Sequence, residues 1–301
     1  MRILVVGANG QLGSELCRVL AVGESQIGPI PVAYAGAEVL RADRDVMDIT
    51  APASVEWFFS VIGSVDLVIN CAAMTNVDGC EANEDAAFAV NARGVESLAR
   101  ACATHGAALV HISTDYVFPG TEPGERVEAD KPAPISAYGR SKLEGERLAL
   151  AANPNTYVVR TAWLYGRTGK NFVKTMLRLA RQRGGISVVD DQLGNPTCAN
   201  DLAYEILRIA QTGEYGIWHC TGEGTCSWFD FASAIVELAG VPCEREPLSS
   251  EEYKRRFPAS ASRPKFSSLR NARLEATVGN EMRPWRGALE AYLPYVMNEQ
   301  A

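Results

Sequence analysis

In the N-terminal half of this chain, apolar residues fall into short unbroken runs. Between the runs lie longer stretches in which they recur every three or four positions. "RILVV" passes at once into "GANGQLG", which reads as a buried strand, a tight turn and the start of a helix. Helical spacing continues through "ELCRVLAV". "EVLRAD" is a second predicted strand, ending at Asp43; "DLVINCAA" is a third, "AALVHIST" a fourth and "TYVVRTAWLYG" a fifth. One long helix, "EDAAFAVNARGVESLARACATHG", is expected between the third and fourth, with Gly106 as its stop signal. A loop rich in proline, glycine and charge and then a helix over "ISAYGRSKLEGERLALAAN" separate the fourth from the fifth. The stretch "GESQIGPIPVAYAGA" is longer than a tight connection needs; an insertion or an additional strand over "IPVAYA" accounts for it.

Near-continuous apolar strands alternating with helices indicate a parallel sheet covered on both faces. The predicted fold class is α/β: a doubly wound parallel (Rossmann) sheet with a smaller C-terminal lobe. We expect a dinucleotide-binding domain over residues 1–162 and a substrate-binding lobe over 163–301. Segments near 199–221 are expected to return to the first domain. In the second half, "NFVKTMLRLARQRG", "NDLAYEILRIAQTG" and "SWFDFASAIVELAG" read as helices, and "ISVVDDQLGNPT" and "YGIWHCTG" as short strands with turns. Ligands of such sheets bind beyond the carboxyl ends of the strands.

Composition narrows the partners. A chain of 301 residues, 47% hydrophobic and 22% charged, buries a sizeable core without covalent staples. A net charge of −7 argues against general binding to nucleic acid or to anionic membranes. No run approaches the roughly 20 apolar residues of a membrane span, and the N-terminal run lacks a signal-peptide pattern, so the chain reads as cytoplasmic. The eight cysteines form no C-x-x-C pair and read as reduced, buried thiols. Cys220 and Cys226, in "HCTGEGTC" beside His219, do not complete a zinc spacing, and no metal ligand is assigned from the pattern.

Candidate chemistry begins at the first turn. Gly7, Gly10 and Gly13 form G-x-x-G-x-x-G between a predicted strand and a predicted helix. Glycines there let the backbone approach a pyrophosphate, and the helix start offers free N–H groups at a positive dipole end. Asp43, at the end of the second strand, has the position to accept hydrogen bonds from a ribose, whereas Arg44 has the charge to attract a 2′-phosphate. Asp48 shares that ambiguity, which leaves NADH and NADPH both open.

Tyr138 and Lys142 stand four residues apart on the helix after the fourth strand and so share a face. A free phenol has a pKa near ~10, and lowering it by about three units takes roughly 4 kcal/mol. One ammonium about 4 Å away supplies on the order of 4 kcal/mol at an effective dielectric near 20. Thr114, at the end of the fourth strand in "HISTDYVFPG", can share a carbonyl oxygen with that phenol.

With "RDVMDIT", "NCAAMTNVDGCE", "RTAWLYG", "NFVKTML", "DQLGNPT" and "GIWHCTGEGTCSWFDFA", these motifs make the chain resemble the extended short-chain dehydrogenase/reductases over nearly its whole length. Within them it is similar to the dTDP-4-dehydrorhamnose reductase family. The resemblance implies reduction of the C4 ketone of a dTDP-linked 4-dehydro-6-deoxy sugar by NADPH or NADH, giving dTDP-L-rhamnose. It implies Tyr138 as proton donor, Lys142 as its electrostatic partner and a ligand of the nicotinamide ribose, and Thr114 as the positioner of the carbonyl. It places Gly10, Gln11, Leu12, Asp43, Asp48, Ile49, Ala73, Met74, Thr75 and Ile112 around the dinucleotide, and Asp115 and Trp163 at the sugar nucleotide. Arg263 and Lys170 are candidates for the diphosphate. Some members bind Mg2+ at a homodimer interface through glutamates, and Glu15 matches one such position; an acid in a first helical turn also favours the helix dipole. Residues 21–37 exceed the family pattern, which bears on Asp43. Tyr116 stands where a 4,6-dehydratase carries a glutamate, which counts against elimination. A nucleotide-sugar 4-epimerase, and a non-catalytic regulatory subunit like the methionine adenosyltransferase β subunit, are the alternative readings.

Overall fold

The computed structural model describes residues 1–298. Six parallel strands form the central sheet: β1 (Arg2–Val6), β2 (Glu38–Ala42), β3 (Leu67–Asn70), β4 (Ala108–Thr114), β5 (Thr156–Thr161) and β6 (Gly216–His219). Their order across the sheet is β2-β1-β3-β4-β5-β6. The chain moves outward from β1 to β2 and then crosses back to the far side of β1, so the order reverses between β1 and β3. That reversal opens a crevice above their carboxyl ends.

β1 shows why its run is wholly apolar. Ile3 and Val5 pack on one face with Leu12, Leu16, Leu202 and Ile206, while Leu4 and Val6 pack on the other with Val55, Phe59 and Leu98. The first face is covered by α1 (Gln11–Val22) and the helix Ala199–Ile209, and the second by α2 (Pro52–Ile62) and the helix Gly94–Thr104. A separate core of Tyr165, Val173, Leu177, Phe231, Ile235, Leu289 and Tyr292 holds the C-terminal elements together. Residues 216–219 add β6 to the edge of the central sheet, alongside β5, although they follow much of the second lobe in sequence.

Four elements depart from the hydrophobic pattern. Residues 51–64, to which the pattern assigns nothing, contain α2. Pro52 starts it, Gly63 (φ 74°) ends it, and exposed Trp57 and Val61 blur its period. "IPVAYA" is no strand but a single 3₁₀ turn, Val32–Tyr34. Pro29 and Pro31 lack the N–H groups a ladder needs, and Tyr34 instead buries its ring and donates its hydroxyl to Leu207 O at 2.8 Å. The fifth predicted strand breaks after Thr161: Trp163 turns left-handed (φ 46°), and Leu164–Tyr165 pair with Thr197–Cys198 instead. The long helix before β4 is Glu84–Phe88, a π-helical turn over Ala89–Arg93, and then Gly94–Thr104.

Candidate active site

The glycine turn is built by close packing. Gly7 adopts φ 73°, and a β-carbon there meets Ala72 N at 2.8 Å. A β-carbon on Gly13 meets Gly7 O at 2.2 Å, so Gly13 is the residue that lets α1 lie directly on the turn. Gly10 is the N-cap of α1 and has no side chain to satisfy the first-turn amides, which leaves them available to an anion. Asp43 braces this loop: its two carboxylate oxygens accept the Asn9 N–H at 3.2 and 3.1 Å. Arg41 donates to Asn9 Oδ1 at 3.2 Å, and Arg44 reaches outward with only an exposed pair to Asp48 at 3.3 Å.

Two cavities meet over the reversal between β1 and β3. One, of about 500 Å³, includes Gly7, Gly10, Asp43, Arg44, Asp48, Ile49, Ala73 and Met74 in its walls. The other, of about 470 Å³, includes Gln11, Leu12, Thr75, Ile112, Thr114, Asp115, Tyr138, Lys142 and Trp163. Gly10, Cys71 and Ala73 belong to both. Every residue assigned above to the dinucleotide, the chemistry or the sugar lines one of the two cavities, apart from Gly13, which lies beneath the turn.

Three polar atoms in the wall of the second cavity, Gln11 Oε1, Asp115 Oδ2 and Thr161 Oγ1, are buried and have no partner among the described residues. A glycine cradle, uncapped amides and unsatisfied polar atoms are what a bound dinucleotide and a polar substrate complete. The residues present therefore fit a nicotinamide dinucleotide.

Tyr138 and Lys142 lie on the helix Ala137–Ala152, whose N-cap Ser136 accepts the Gly139 N–H at 3.1 Å. The helix sits close because Gly145 has no side chain: a β-carbon there meets Asn91 O at 2.0 Å. Asn91, in the π turn, accepts Met74 N at 2.8 Å and donates to Met74 O at 3.0 Å and Ser141 Oγ at 3.1 Å. One buried amide thus ties the loop after β3 to the helix that carries Tyr138 and Lys142. Sequence reasoning missed it, although a polar residue inside an otherwise apolar helical stripe is a readable signal.

Lys142 Nζ donates to Ile112 O at 2.6 Å, and burial lowers its pKa to about 8 against the raising influence of Glu146. Burial also dominates at Tyr138, whose phenol is held above its ordinary value even though its bond with Thr114 pulls the other way. The structure therefore corrects the expectation of a lysine-depressed phenol: desolvation wins, and the resting phenol keeps its proton. Thr114 donates to Asp115 Oδ1 at 2.9 Å. Burial raises the Asp115 pKa to about 7, with the Ser267 and Thr114 hydrogen bonds opposing.

Trp163 divides this cavity from a third. Its indole stacks on Trp228 with 3.6 Å between ring centroids and 8° between planes, and it fits against residue 194 only because that residue is glycine, where a β-carbon meets the ring at 2.5 Å. Beyond the stacked pair lies a cavity of about 560 Å³ with Phe172, Met176, Trp228, Tyr253, Arg256 and Arg263 among its walls. Arg263 also pairs with Asp78 at 3.0 Å. Lys170 is elsewhere, in an open surface groove. Phe172 and Trp228 lie in the "NFVKTML" and "SWFDFA" stretches, to which no ligand role is assigned, and Tyr253 and Arg256 carry no local motif.

Glu15 is buried and engaged by Arg18 at 2.7 Å and Asn200 Nδ2 at 2.7 Å. Among the described residues no group of three or more His, Cys, Asp or Glu side chains is placed to hold a metal, so the donor set gives Mg2+ no support. His219 faces the Arg126 and Arg270 carbonyls (3.1 and 3.2 Å), and all eight cysteines are free thiols. No described helix is long and apolar enough to cross a membrane.

Residues 1–297 match the family model for the RmlD substrate binding domain. A dTDP-4-dehydrorhamnose reductase of Mycobacterium tuberculosis is 44% identical over 299 residues, covering 97% of this chain and 92% of the relative. A crystal structure of a dTDP-4-dehydrorhamnose reductase from Clostridium acetobutylicum superposes with a TM-score of 0.90 at 43% identity, covering 99% of this chain and 100% of that one. Another, from Bacillus anthracis in complex with NADP, superposes with a TM-score of 0.88 at 38% identity, covering 97% and 98%.

Proposed function

Because the chain belongs to the RmlD substrate binding domain family, in which the relatives above are dTDP-4-dehydrorhamnose reductases, we propose that it reduces the C4 ketone of dTDP-4-dehydrorhamnose to give dTDP-L-rhamnose, with NADPH as reductant. The observation that carries this reading is the convergence of Thr114, Tyr138 and Lys142 on one cavity at the sheet's reversal, beside a glycine cradle. The walls of the paired cavities, with the uncapped α1 amides for a diphosphate, would hold the dinucleotide, which would supply the hydride when bound.

Thr114 and Tyr138 hold the ketone oxygen between two hydroxyls. As C4 is reduced, Tyr138 gives its proton to that oxygen, and the Lys142 ammonium stabilises the phenolate left behind. A phenol that rests protonated is the form this direction requires. Asp115 offers its unpartnered Oδ2 to a sugar hydroxyl, and Trp163 forms the wall against which the sugar ring packs. The nucleotide extends past the tryptophan pair into the third cavity, where aromatic faces suit a base and Arg256 and Arg263 suit a diphosphate. The direct test is NADPH consumption at 340 nm with dTDP-4-dehydrorhamnose. Absence of turnover by folded, NADPH-saturated protein overturns the reading, and tightly retained oxidised cofactor points to epimerisation instead.

Cofactor choice rests on Arg44, with Arg41 behind it. The Asp43 carboxylate is engaged by the Asn9 N–H, and the exposed guanidinium of Arg44 lines the adenosine end of the crevice. Arg44→Ala is expected to raise the KM for NADPH about tenfold and to leave that for NADH nearly unchanged, as loss of a charge-assisted phosphate contact would. Equal effects on both cofactors would remove Arg44 from phosphate recognition.

A further inference from the structure

Behind Lys142 lies a buried charge cluster that the chemistry above does not use. Tyr138, Lys142 and Glu146 follow one another at four-residue intervals and so share one face of their helix. Glu146 is 2% exposed. Its Oε1 accepts Ser113 Oγ at 2.5 Å and Arg160 Nε at 2.9 Å, and its Oε2 accepts Arg160 Nη2 at 2.7 Å. Ser113 follows Ile112, whose carbonyl receives Lys142 Nζ, so lysine and glutamate dock on consecutive residues of β4. Arg160, on β5 and 1% exposed, is fixed in turn by the Phe118 ring, 5.1 Å from the guanidinium, and by His219 Nε2 on β6 at 3.5 Å. A forked carboxylate–guanidinium pair with both members out of solvent is costly to bury, which argues that its position serves something beyond stability.

The other titratable groups toward Lys142 are Tyr138 on its own helix, His111 on β4 and Cys71 after β3. Burial keeps the imidazole neutral and holds both the phenol and the thiol in their protonated forms. Glu146 is therefore the anion closest in register to the lysine. We propose that Glu146, clamped by Arg160 and Ser113, is a positioning residue that keeps Lys142 charged and seated on the Ile112 carbonyl, and so governs the pH range over which Tyr138 can act as an acid. The inference builds on the reductase reading, but its first readout does not depend on turnover.

Lys142 is one of six lysines, so ¹³Cε-lysine NMR with a Lys142→Met variant for assignment follows its titration directly. In Glu146→Gln the Lys142 midpoint is expected to fall by about one pH unit, because removing a negative neighbour favours loss of the proton. The alkaline limb of kcat/KM should move down in parallel, giving roughly a fivefold loss at pH 8 and little at pH 6. Glu146→Gln/Arg160→Gln removes both buried charges and is measured in the same way, which covers the case in which the single variant does not fold. A midpoint that stays below wild type in the double variant supports the proposal. A wild-type midpoint in either variant overturns it and reduces Glu146 to neutralising Arg160. If the native enzyme does not turn over while the NMR shift appears, the reductase reading fails and the Glu146–Lys142 coupling stands.

Discussion

Tyr138→Phe is expected to lower kcat for reduction of dTDP-4-dehydrorhamnose by about a thousandfold, the scale of a lost general acid. NADPH affinity should change less than about twofold, because the ring remains and only the hydroxyl goes; a contact made chiefly in the transition state appears in kcat rather than in binding. Steady-state rates at 340 nm and a fluorescence titration with NADPH separate the two effects. The phenylalanine retains the edge contact with Tyr116, whose ring centroid lies 5.8 Å away, so the helix has no reason to shift. A loss below about tenfold would mean that the proton comes from elsewhere. Asp115, with a pKa near neutrality and a hydrogen bond from Thr114, would then be the first group to test.

Gly13→Ala is expected to weaken NADPH binding by about a hundredfold and to lower the melting temperature by several degrees. The added carbon would sit 2.2 Å from Gly7 O and 2.8 Å from Ala8 Cα. Those are backbone atoms of the phosphate turn, so relief requires the turn itself to move, and overpacking of this kind costs about 1–3 kcal/mol. On the proposed function the turn also holds the dinucleotide, so the displacement is expected in affinity as well as in stability. Gly10→Ala is the internal comparison: its added carbon meets only Gly7 O, at 3.2 Å. Calorimetric titration with NADPH should rank Gly13→Ala as the more damaging. The opposite order would show that Gly10 makes the approach to the ligand and that packing beneath the turn matters less.

What could be read from the sequence was local. The strand–glycine–helix start, the four-residue Tyr138–Lys142 spacing and the hydroxyl at the end of β4 depend on neighbours a few positions away, and all of them meet at the crevice. What could not be read depends on which strands lie side by side. Glu146 and Arg160 meet because the helix after β4 lies across β5. Trp228 and Trp163 meet across 65 positions, and the left-handed Trp163 needs a glycine at 194, with no local signature for either. The phenol's proton affinity failed for a related reason: its magnitude was judged from one neighbouring charge, whereas the depth of burial, set by the whole fold, decides its direction.

The π turn at Ala89–Arg93 makes segment length, as well as composition, part of the design. It inserts one residue into what would otherwise be a regular helix. A chain shortened by one residue there could run as an unbroken helix in nearly the same phase on either side, because five residues of the wider π turn rotate about as far as four α-helical ones. Val95, Leu98 and Ala99, now fully enclosed, would keep facing the sheet, and what the deletion would take away is the bulge that brings the Asn91 amide to the Met74 peptide. A single deletion there would therefore spare the packing of the helix while cutting the tie between the loop after β3 and the helix that carries Tyr138 and Lys142.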